Sequence, residues 1–266
     1  MLNVSLLGGA CFAVDGAIVR ADLGLAGRLL ACYLFEFDGR MHRRERLADL
    51  FWGELEPERA RSALNTAIWR IRKMLELGAA GGSRTLITMG DDVLFERSDS
   101  VRVDTHFLES VFKRVISDPA KGELMESHVK EVIKAVECYR GPFLDGDDAD
   151  WVRQERERLH SLYVRTAVEL MRAAARSGQH EAALQYGREI LAADPFRESV
   201  QCDVMLLLLL DGQRAEAIRA YQNLRSVLRS DLGIEPMPAT KSLHGAIVSG
   251  EIFSDLGHYT SSHFGS

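Results

Sequence analysis

The first twenty residues alternate short apolar runs with turn residues. The runs 2–7 and 12–20 are rich in Leu, Val and Phe, and Asp15-Gly16 lies where a tight hairpin turn would fall. Short apolar runs bounded by such turns are typical of β-strands. We therefore expect a small antiparallel sheet at the start of the chain.

After this segment the apolar spacing becomes helical. Leu, Tyr and Phe recur every third or fourth position across 25–37, and similar spacing predicts helices over about 43–52 and 58–77. Two short apolar runs, 85–88 and 93–95, then flank a glycine-containing turn and predict a β-hairpin. Sheet, three helices and hairpin, in that order, predict a winged helix-turn-helix domain.

The rest of the chain is almost entirely helical by its pattern and contains a weak internal repeat. Gly-Gln begins both 178–184 and 212–218, and their spacing is the tetratricopeptide (TPR) period. The predicted fold class is α+β, with an N-terminal winged helix-turn-helix and a small antiparallel sheet followed by an all-α, TPR-like helical repeat domain. The predicted domains are 1–98 for the winged helix, 103–250 for the helical repeats and 251–266 for a flexible tail.

The helix predicted over 58–77 has an apolar and a polar face when it is projected at about 100° per residue. The apolar face carries Ala63, Leu64, Ala67, Ile68, Ile71, Met74 and Leu75. The polar face and its flanks carry Arg61, Ser62, Asn65, Thr66, Trp69, Arg70, Arg72 and Lys73. Cations, an amide, hydroxyls and an indole suit a DNA major groove. A solvated helix with scattered Arg would look similar, but the flanking helix and hairpin favour DNA.

The candidate DNA contacts divide by their chemistry. Base-edge contacts are expected from Arg61, Asn65, Thr66 and Trp69. Phosphate contacts are expected from Arg70, Arg72 and Lys73, and from Arg43 and Arg44 at the start of the preceding helix. An Asn can bind adenine and a Thr can touch a thymine methyl group. Trp69 has an alternative role, in which its ring packs against the helical domain.

The net charge of −6 argues against a nucleic-acid-binding protein when it is taken over the whole chain. The charge is unevenly distributed, however. Residues 40–73 hold nine Lys and Arg against five acids, whereas residues 101–266 sum to −5. DNA binding is therefore expected in the basic segment.

Other classes of protein find little support. The four cysteines and eight histidines form no CxxC, HExxH or comparable pattern, so no catalytic residue, metal site or cofactor is predicted. The longest apolar run, Met205–Leu210, is far shorter than the roughly 18 residues of a membrane span. The first residues lack the basic region of a signal peptide. We expect a cytoplasmic protein that is not an enzyme and has no membrane partner.

Several motifs, in order, resemble those of the Streptomyces antibiotic regulatory protein (SARP) family. Arg46–Trp52 is similar to the family's Arg-Leu-x-x-x-Leu-Trp helix ending, and Ala60–Arg72 is similar to its recognition helix. Tyr139–Leu144 and Leu232–Pro236 are similar to landmarks of its second domain. The resemblance covers about residues 2–248. It implies an OmpR-type winged helix followed by a bacterial transcriptional activator domain.

This resemblance implies a sequence-specific transcriptional regulator that acts as an activator. The partners it implies are double-stranded promoter DNA, RNA polymerase holoenzyme and a second copy of the chain on the DNA. The polymerase contact would lie in the loop of Gly53, Glu54, Leu55, Glu56, Pro57 and Glu58. One departure from the family is the hairpin tip, where the carboxylates of Asp91 and Asp92 would repel phosphate. The alternative function is a TPR-like protein–protein adaptor with a degenerate DNA-binding head.

Overall fold

The computed structural model describes residues 1–19, 22–78, 85–117 and 124–264. The chain forms two compact units. The head unit comprises Met1–Ser110 and Glu137–His160, and the helical unit comprises Val111–Val136 and Ser161–Ser266.

The strands of the head unit form two small sheets. They are β1 (Leu2–Ser5), β2 (Cys11–Val14), β3 (Ala17–Ile18), β4 (Met41–Arg43), β5 (Leu86–Met89), β6 (Asp92–Phe95) and β7 (Val101–Val103). The first sheet has the order β3-β2-β1-β7, in which β1 is antiparallel to β2 and parallel to β7. The second sheet is antiparallel, with the order β4-β6-β5. The sequence pattern did not predict β4 and β7, because three residues are too few to show an alternation.

Three helices complete the winged part of the head unit. They are α1 (Gly24–Glu36), α2 (Arg44–Trp52) and α3 (Pro57–Gly78). This order confirms the predicted winged helix-turn-helix architecture. On α1 the buried stripe runs through Leu30 and Leu34, which places Leu25 on the opposite side of the helix and leaves its side chain 67% exposed. Leu25 is therefore not part of the core face that its spacing predicted.

The chain continues after β7 as helices. They are α4 (Asp104–Val111), which runs into a π-helical turn (Phe112–Ile116), then α5 (Glu126–Glu137) and α6 (Asp150–Arg176). The Asp104 carboxylate accepts hydrogen bonds from the backbone N–H groups of Leu6 at 2.9 Å and Leu7 at 3.1 Å. It thereby fixes the end of β1 to the start of α4.

Residues 139–144 also belong to the head unit rather than to the helical one. Leu7 forms an antiparallel bridge with Phe143, and the Gly8 N–H donates to the carbonyl of Pro142 at 3.0 Å. Gly8 has a φ of +94°, and a Cβ there would lie 3.0 Å from the backbone of Arg140. The head unit therefore extends beyond the boundary predicted near 98–103. The sequence did not predict this, because backbone pairing of this kind leaves no hydrophobic pattern.

The helical unit contains the predicted repeat. Its later helices are α7 (His180–Ala193), α8 (Glu198–Leu210), α9 (Arg214–Val227) with a π-helical turn (Leu228–Leu232), and α10 (Pro238–Ser249). Gly178 and Gly212 precede α7 and α9 with nearly equal φ angles of +71° and +72°. Ala183 and Ala217 are both fully buried. The two copies thus share a turn geometry and a close helix contact, as the spacing of the repeat predicted.

Residues 251–264 differ from the flexible tail expected from their composition. They form a 3-10 turn (Glu251–Ser254) and α11 (Leu256–Phe264), while Gly265 and Ser266 lie outside the described residues. The ring of His263 lies 2.7 Å from the carboxylate of Asp203, which is completely buried, and Phe264 is only 5% exposed. Ile252, which is completely buried, also holds the segment, and three anchoring residues at these positions show no helical period from which the packing could have been predicted.

Candidate nucleic-acid interface

Helix α3 has the two faces that its sequence predicted. The apolar stripe is buried, with Leu64, Ile71 and Met74 each 1% exposed, and only Ala63 is half-buried. The exposed residues on the opposite face include Arg61, Ser62, Asn65, Thr66, Trp69 and Lys73. The buried stripe fixes the rotation of α3, because turning the helix would expose its apolar residues.

Four of the predicted DNA contacts lie together around one cleft of about 390 Å³. It is lined by Arg43, Arg44, Glu45, Arg61, Leu64, Asn65 and Asp91. A guanidinium N–H of Arg44 donates to the side-chain oxygen of Asn65. The cleft therefore joins the start of α2, the middle of α3 and the hairpin tip.

Both hairpin acids contact the start of α2 or the strand before it, Asp91 through its backbone carbonyl and Asp92 through its carboxylate. The backbone N–H of Arg44 donates to the carbonyl of Asp91 at 2.8 Å. Arg43 pairs with Asp92 in the β4–β6 register, and its Nε lies 3.6 Å from the Asp92 carboxylate. An arginine thus offsets part of the negative charge at the tip, which would otherwise repel phosphate.

Arg72 contacts the hairpin. Its Nε donates to the carbonyl of Leu86 at 3.2 Å, and its Nη2 donates to the Thr88 hydroxyl at 3.0 Å. A planar guanidinium is suited to such a paired contact. Arg72 therefore ties α3 to β5, and its contact with phosphate stays a prediction.

Two other predicted phosphate contacts have exposed partners. Arg70 donates to the carbonyl of Asp22 at 2.7 Å and lies 3.8 Å from the carboxylate of that residue, and Lys73 lies 2.8 Å from the Glu76 carboxylate. Exposed ion pairs contribute only about 0–1 kcal/mol, so a phosphate can compete for these cations. Both side chains remain available at the surface of α3.

Trp69 and Thr66 also lie on the exposed face of α3. Trp69 is 59% exposed, which is unusual for an indole. The Thr66 hydroxyl donates to the carbonyl of Ser62 at 3.0 Å, one turn back on α3. This bond satisfies the hydroxyl hydrogen within the helix.

Gly53 to Glu58, which span the loop after α2 and the first two residues of α3, are all exposed. A Cβ at Gly53 would lie 2.5 Å from the carbonyl oxygen of Asp49, so only glycine fits where α2 ends. Leu55 is 43% exposed beside the carboxylates of Glu54 and Glu56. The loop offers an apolar side chain surrounded by negative charge.

Two polar groups of the head unit were missed by sequence reasoning. His42 is buried in β4, and burial lowers its pKa, so the ring is uncharged near neutral pH. Glu36 is buried at the end of α1 and pairs with Arg158 on α6. Long-range partners of this kind have no local signal.

The part of the chain that the structure describes holds neither a metal site nor a membrane-spanning helix. No group of three or more His, Cys, Asp or Glu side chains is placed to hold a metal ion there. None of the helices described is both long and apolar enough to cross a membrane.

The amino-acid sequence is similar to one protein family and to several regulatory proteins. Residues 103–248 match the model of the bacterial transcriptional activator domain. The regulatory protein AfsR of Streptomyces coelicolor is 27% identical over 241 residues, and the transcriptional regulatory protein MoaR1 of Mycobacterium tuberculosis is 24% identical over 267. These alignments cover 89% and 96% of the chain, but 23% of AfsR and 85% of MoaR1. The chain thus spans about a quarter of the length of AfsR.

One solved structure shares the fold. It is Mycobacterium tuberculosis EmbR in complex with a low-affinity phosphopeptide, with a TM-score of 0.72 at 21% sequence identity. The match covers 99% of this chain and 69% of that chain. At this identity the likeness speaks for the arrangement of elements alone.

Proposed function

The chain belongs to the bacterial transcriptional activator domain family, among SARP-type regulators, and we propose that it binds promoter DNA through α3. MoaR1 is named as a transcriptional regulatory protein and AfsR as a regulatory protein, which supports a regulatory function for this chain. The observation that carries the proposal is the face of α3 opposite its buried stripe, where cations and an amide are exposed on a rigid helix.

In the proposed complex α3 enters the major groove. Arg61, Asn65, Thr66 and Trp69 face base edges, and Arg43, Arg70 and Lys73 bind phosphates. Arg44 supports the base-facing residues through Asn65. Phosphate contacts supply most of the affinity and base contacts supply the sequence preference.

The loop Gly53–Glu58 is proposed as the contact for RNA polymerase. Its exposed Leu55, flanked by carboxylates, suits a partner surface that is apolar at its centre and basic at its edge. Leu55→Ala is expected to lower transcription from a bound promoter in a purified system without changing DNA affinity. A parallel loss of DNA affinity would contradict this assignment.

Dimer formation on DNA completes the proposal, with activation of transcription in the cytoplasm as the outcome. A protein of this kind binds two half-sites that are about one helical turn apart. Sedimentation of the chain with a promoter fragment, at increasing protein concentration, tests it. Two chains on each fragment support the proposal, and a single chain at saturation contradicts it.

The alternative function is that of an adaptor. It is favoured by the ion pairs of Arg70 with Asp22 and of Lys73 with Glu76, which offset part of the positive charge on α3. Genome-wide immunoprecipitation of bound DNA separates the two functions. Enrichment of a common sequence supports the regulator, and a lack of enrichment supports the adaptor.

A further inference from the structure

The contact between Arg44 and Asn65 determines which way the Asn65 amide faces. A guanidinium has donors and no acceptor, so the atom of Asn65 that meets it is the oxygen. The amide nitrogen, with its two N–H donors, is then the free end. This orientation follows from the chemistry of arginine.

Arg44 is held at both ends. Its backbone N–H donates to the carbonyl of Asp91, and its guanidinium donates to Asn65. It is also the first residue of α2, so its backbone direction is set by the helix. The pair is therefore arranged before any DNA arrives, which reduces the entropy lost on binding.

The cleft around the pair favours a base over a phosphate. Its cations are Arg43, Arg44 and Arg61, but Glu45 and Asp91 line it as well. Two carboxylates weaken the attraction for a phosphate, whereas the edge of a base is uncharged. The donors of Asn65 and Arg61 lie one helical turn apart on the same face of α3.

These donors match one base in particular. Guanine presents two acceptors, N7 and O6, to the major groove, whereas adenine presents the N7 acceptor and an N6 donor. Adenine would donate from N6 to the Asn65 oxygen, which keeps a second lone pair, but the positive charge of Arg44 beside that oxygen repels a donor group and attracts the O6 acceptor of guanine. We propose that Arg44 and Asn65 form a cationic, donor-rich pair that recognises a guanine in the major groove, contrary to the adenine preference of an isolated Asn. This inference rests on the proposed binding of promoter DNA.

The test uses the full chain and the sequences it selects from a random double-stranded library. A guanine is expected at one position for the unaltered chain, and Asn65→Ala should abolish that preference. Asn65→Asp keeps an acceptor for Arg44 but has no donor, so it should lose guanine at the same position. Arg46→Ala removes an exposed cation of α2 outside the cleft and is the matched control, expected to keep the preference.

Modified bases then identify the atoms that are bound. Inosine keeps N7 and O6 and should leave affinity unchanged. Replacing the guanine by 7-deazaguanine, which lacks N7, or by adenine should weaken binding on the order of 10-fold. Circular dichroism of each variant establishes that it is folded.

The outcomes separate this inference from the function on which it rests. Selection of adenine at the position that Asn65→Ala affects would overturn the guanine assignment while leaving DNA binding intact. An unchanged preference in both Asn65 variants would overturn it as well. If the unaltered chain selects no sequence and binds no DNA at low salt, the proposed function fails together with the inference.

Discussion

Arg158 and Glu36 form an ion pair in which Nη2 of the arginine lies 3.0 Å from Oε1 of a carboxylate that is only 2% exposed. The other oxygen of Glu36 accepts from the Thr105 hydroxyl at 2.6 Å. The same guanidinium also contacts Glu109 at 2.8 Å and Glu155 at 2.6 Å. One arginine is thus shared by three carboxylates from α1, α4 and α6, and it holds these segments of the head unit together.

The first prediction concerns the pH dependence of stability. Burial raises the pKa of Glu36 to about 7, although the hydrogen bond from Thr105 lowers it. The carboxyl group of Glu36 therefore binds its proton more tightly in the folded chain than in the unfolded chain. The protonated Glu36 carboxyl group thus contributes its full stabilisation below the unfolded pKa of 4.5, and this contribution is lost as the pH rises to about 7.

Glu36→Gln should remove this dependence. We expect the free energy of unfolding of the unaltered chain, minus that of the variant, to fall by about 3 kcal/mol between about pH 4.5 and 8. Urea titrations across this range measure the difference. Glu58→Gln, at an exposed position, serves as the control. Parallel pH profiles for the Glu36 variant and the unaltered chain would contradict the prediction.

Arg72 is expected to stabilise the hairpin. Arg72→Ala removes the bonds to Leu86 and Thr88 and should lower the stability of the head unit by about 1–2 kcal/mol. Hydrogen exchange of the β5 and β6 amides should accelerate, while the salt dependence of DNA binding stays the same. A reduced salt slope with unchanged exchange would instead identify Arg72 as a phosphate contact.

Arg70 and Lys73 are expected to bind phosphate. Arg70→Ala combined with Lys73→Ala should weaken binding to every DNA sequence and reduce the slope of log K against log salt by about 2. Arg188→Ala with Arg219→Ala removes two exposed cations of the helical unit and is the control. Equal slopes in the two double variants would argue against phosphate binding by α3.

The last helix is expected to contribute to stability. Phe264→Ala should cost about 2–4 kcal/mol, because the ring is 5% exposed. Phe253→Ala, at a ring that is 51% exposed, should change stability by about 0.5 kcal/mol or less. Chemical denaturation of the full chain compares them. Similar small effects would mean that α11 adds little to the packing of the helical unit.

The sequence predicted the features that a regular spacing of residues along the chain marks. The stripe through Leu64, Ile71 and Met74 gave the position and the rotation of α3, and the spacing between Gly178 and Gly212 gave the repeat. The stripe depends on residues within about three turns of one another, and the repeat depends on a short segment that recurs at a fixed spacing. The winged helix, the helical domain and their order could therefore be predicted from the amino-acid pattern alone.

The rest depends on partners that are distant in sequence. Phe143 forms a bridge with Leu7, just beyond the end of β1, and Asp203 binds His263 across 60 positions. Neither contact changes the hydrophobic pattern. In the candidate site the exposed residues could be predicted, but the orientation of Asn65 could not, because it is set by Arg44 on another helix.

The central claim is that α3 binds DNA. The most direct test is the affinity of the purified chain for an immunoprecipitated genomic fragment, measured by fluorescence anisotropy between about 50 and 200 mM salt. With several phosphate contacts the affinity should fall by orders of magnitude over this range, and it should be much lower for a variant with Arg61, Asn65, Arg70 and Lys73 all replaced by Ala. Binding that is equal in the two proteins, or that does not depend on salt, would contradict the claim.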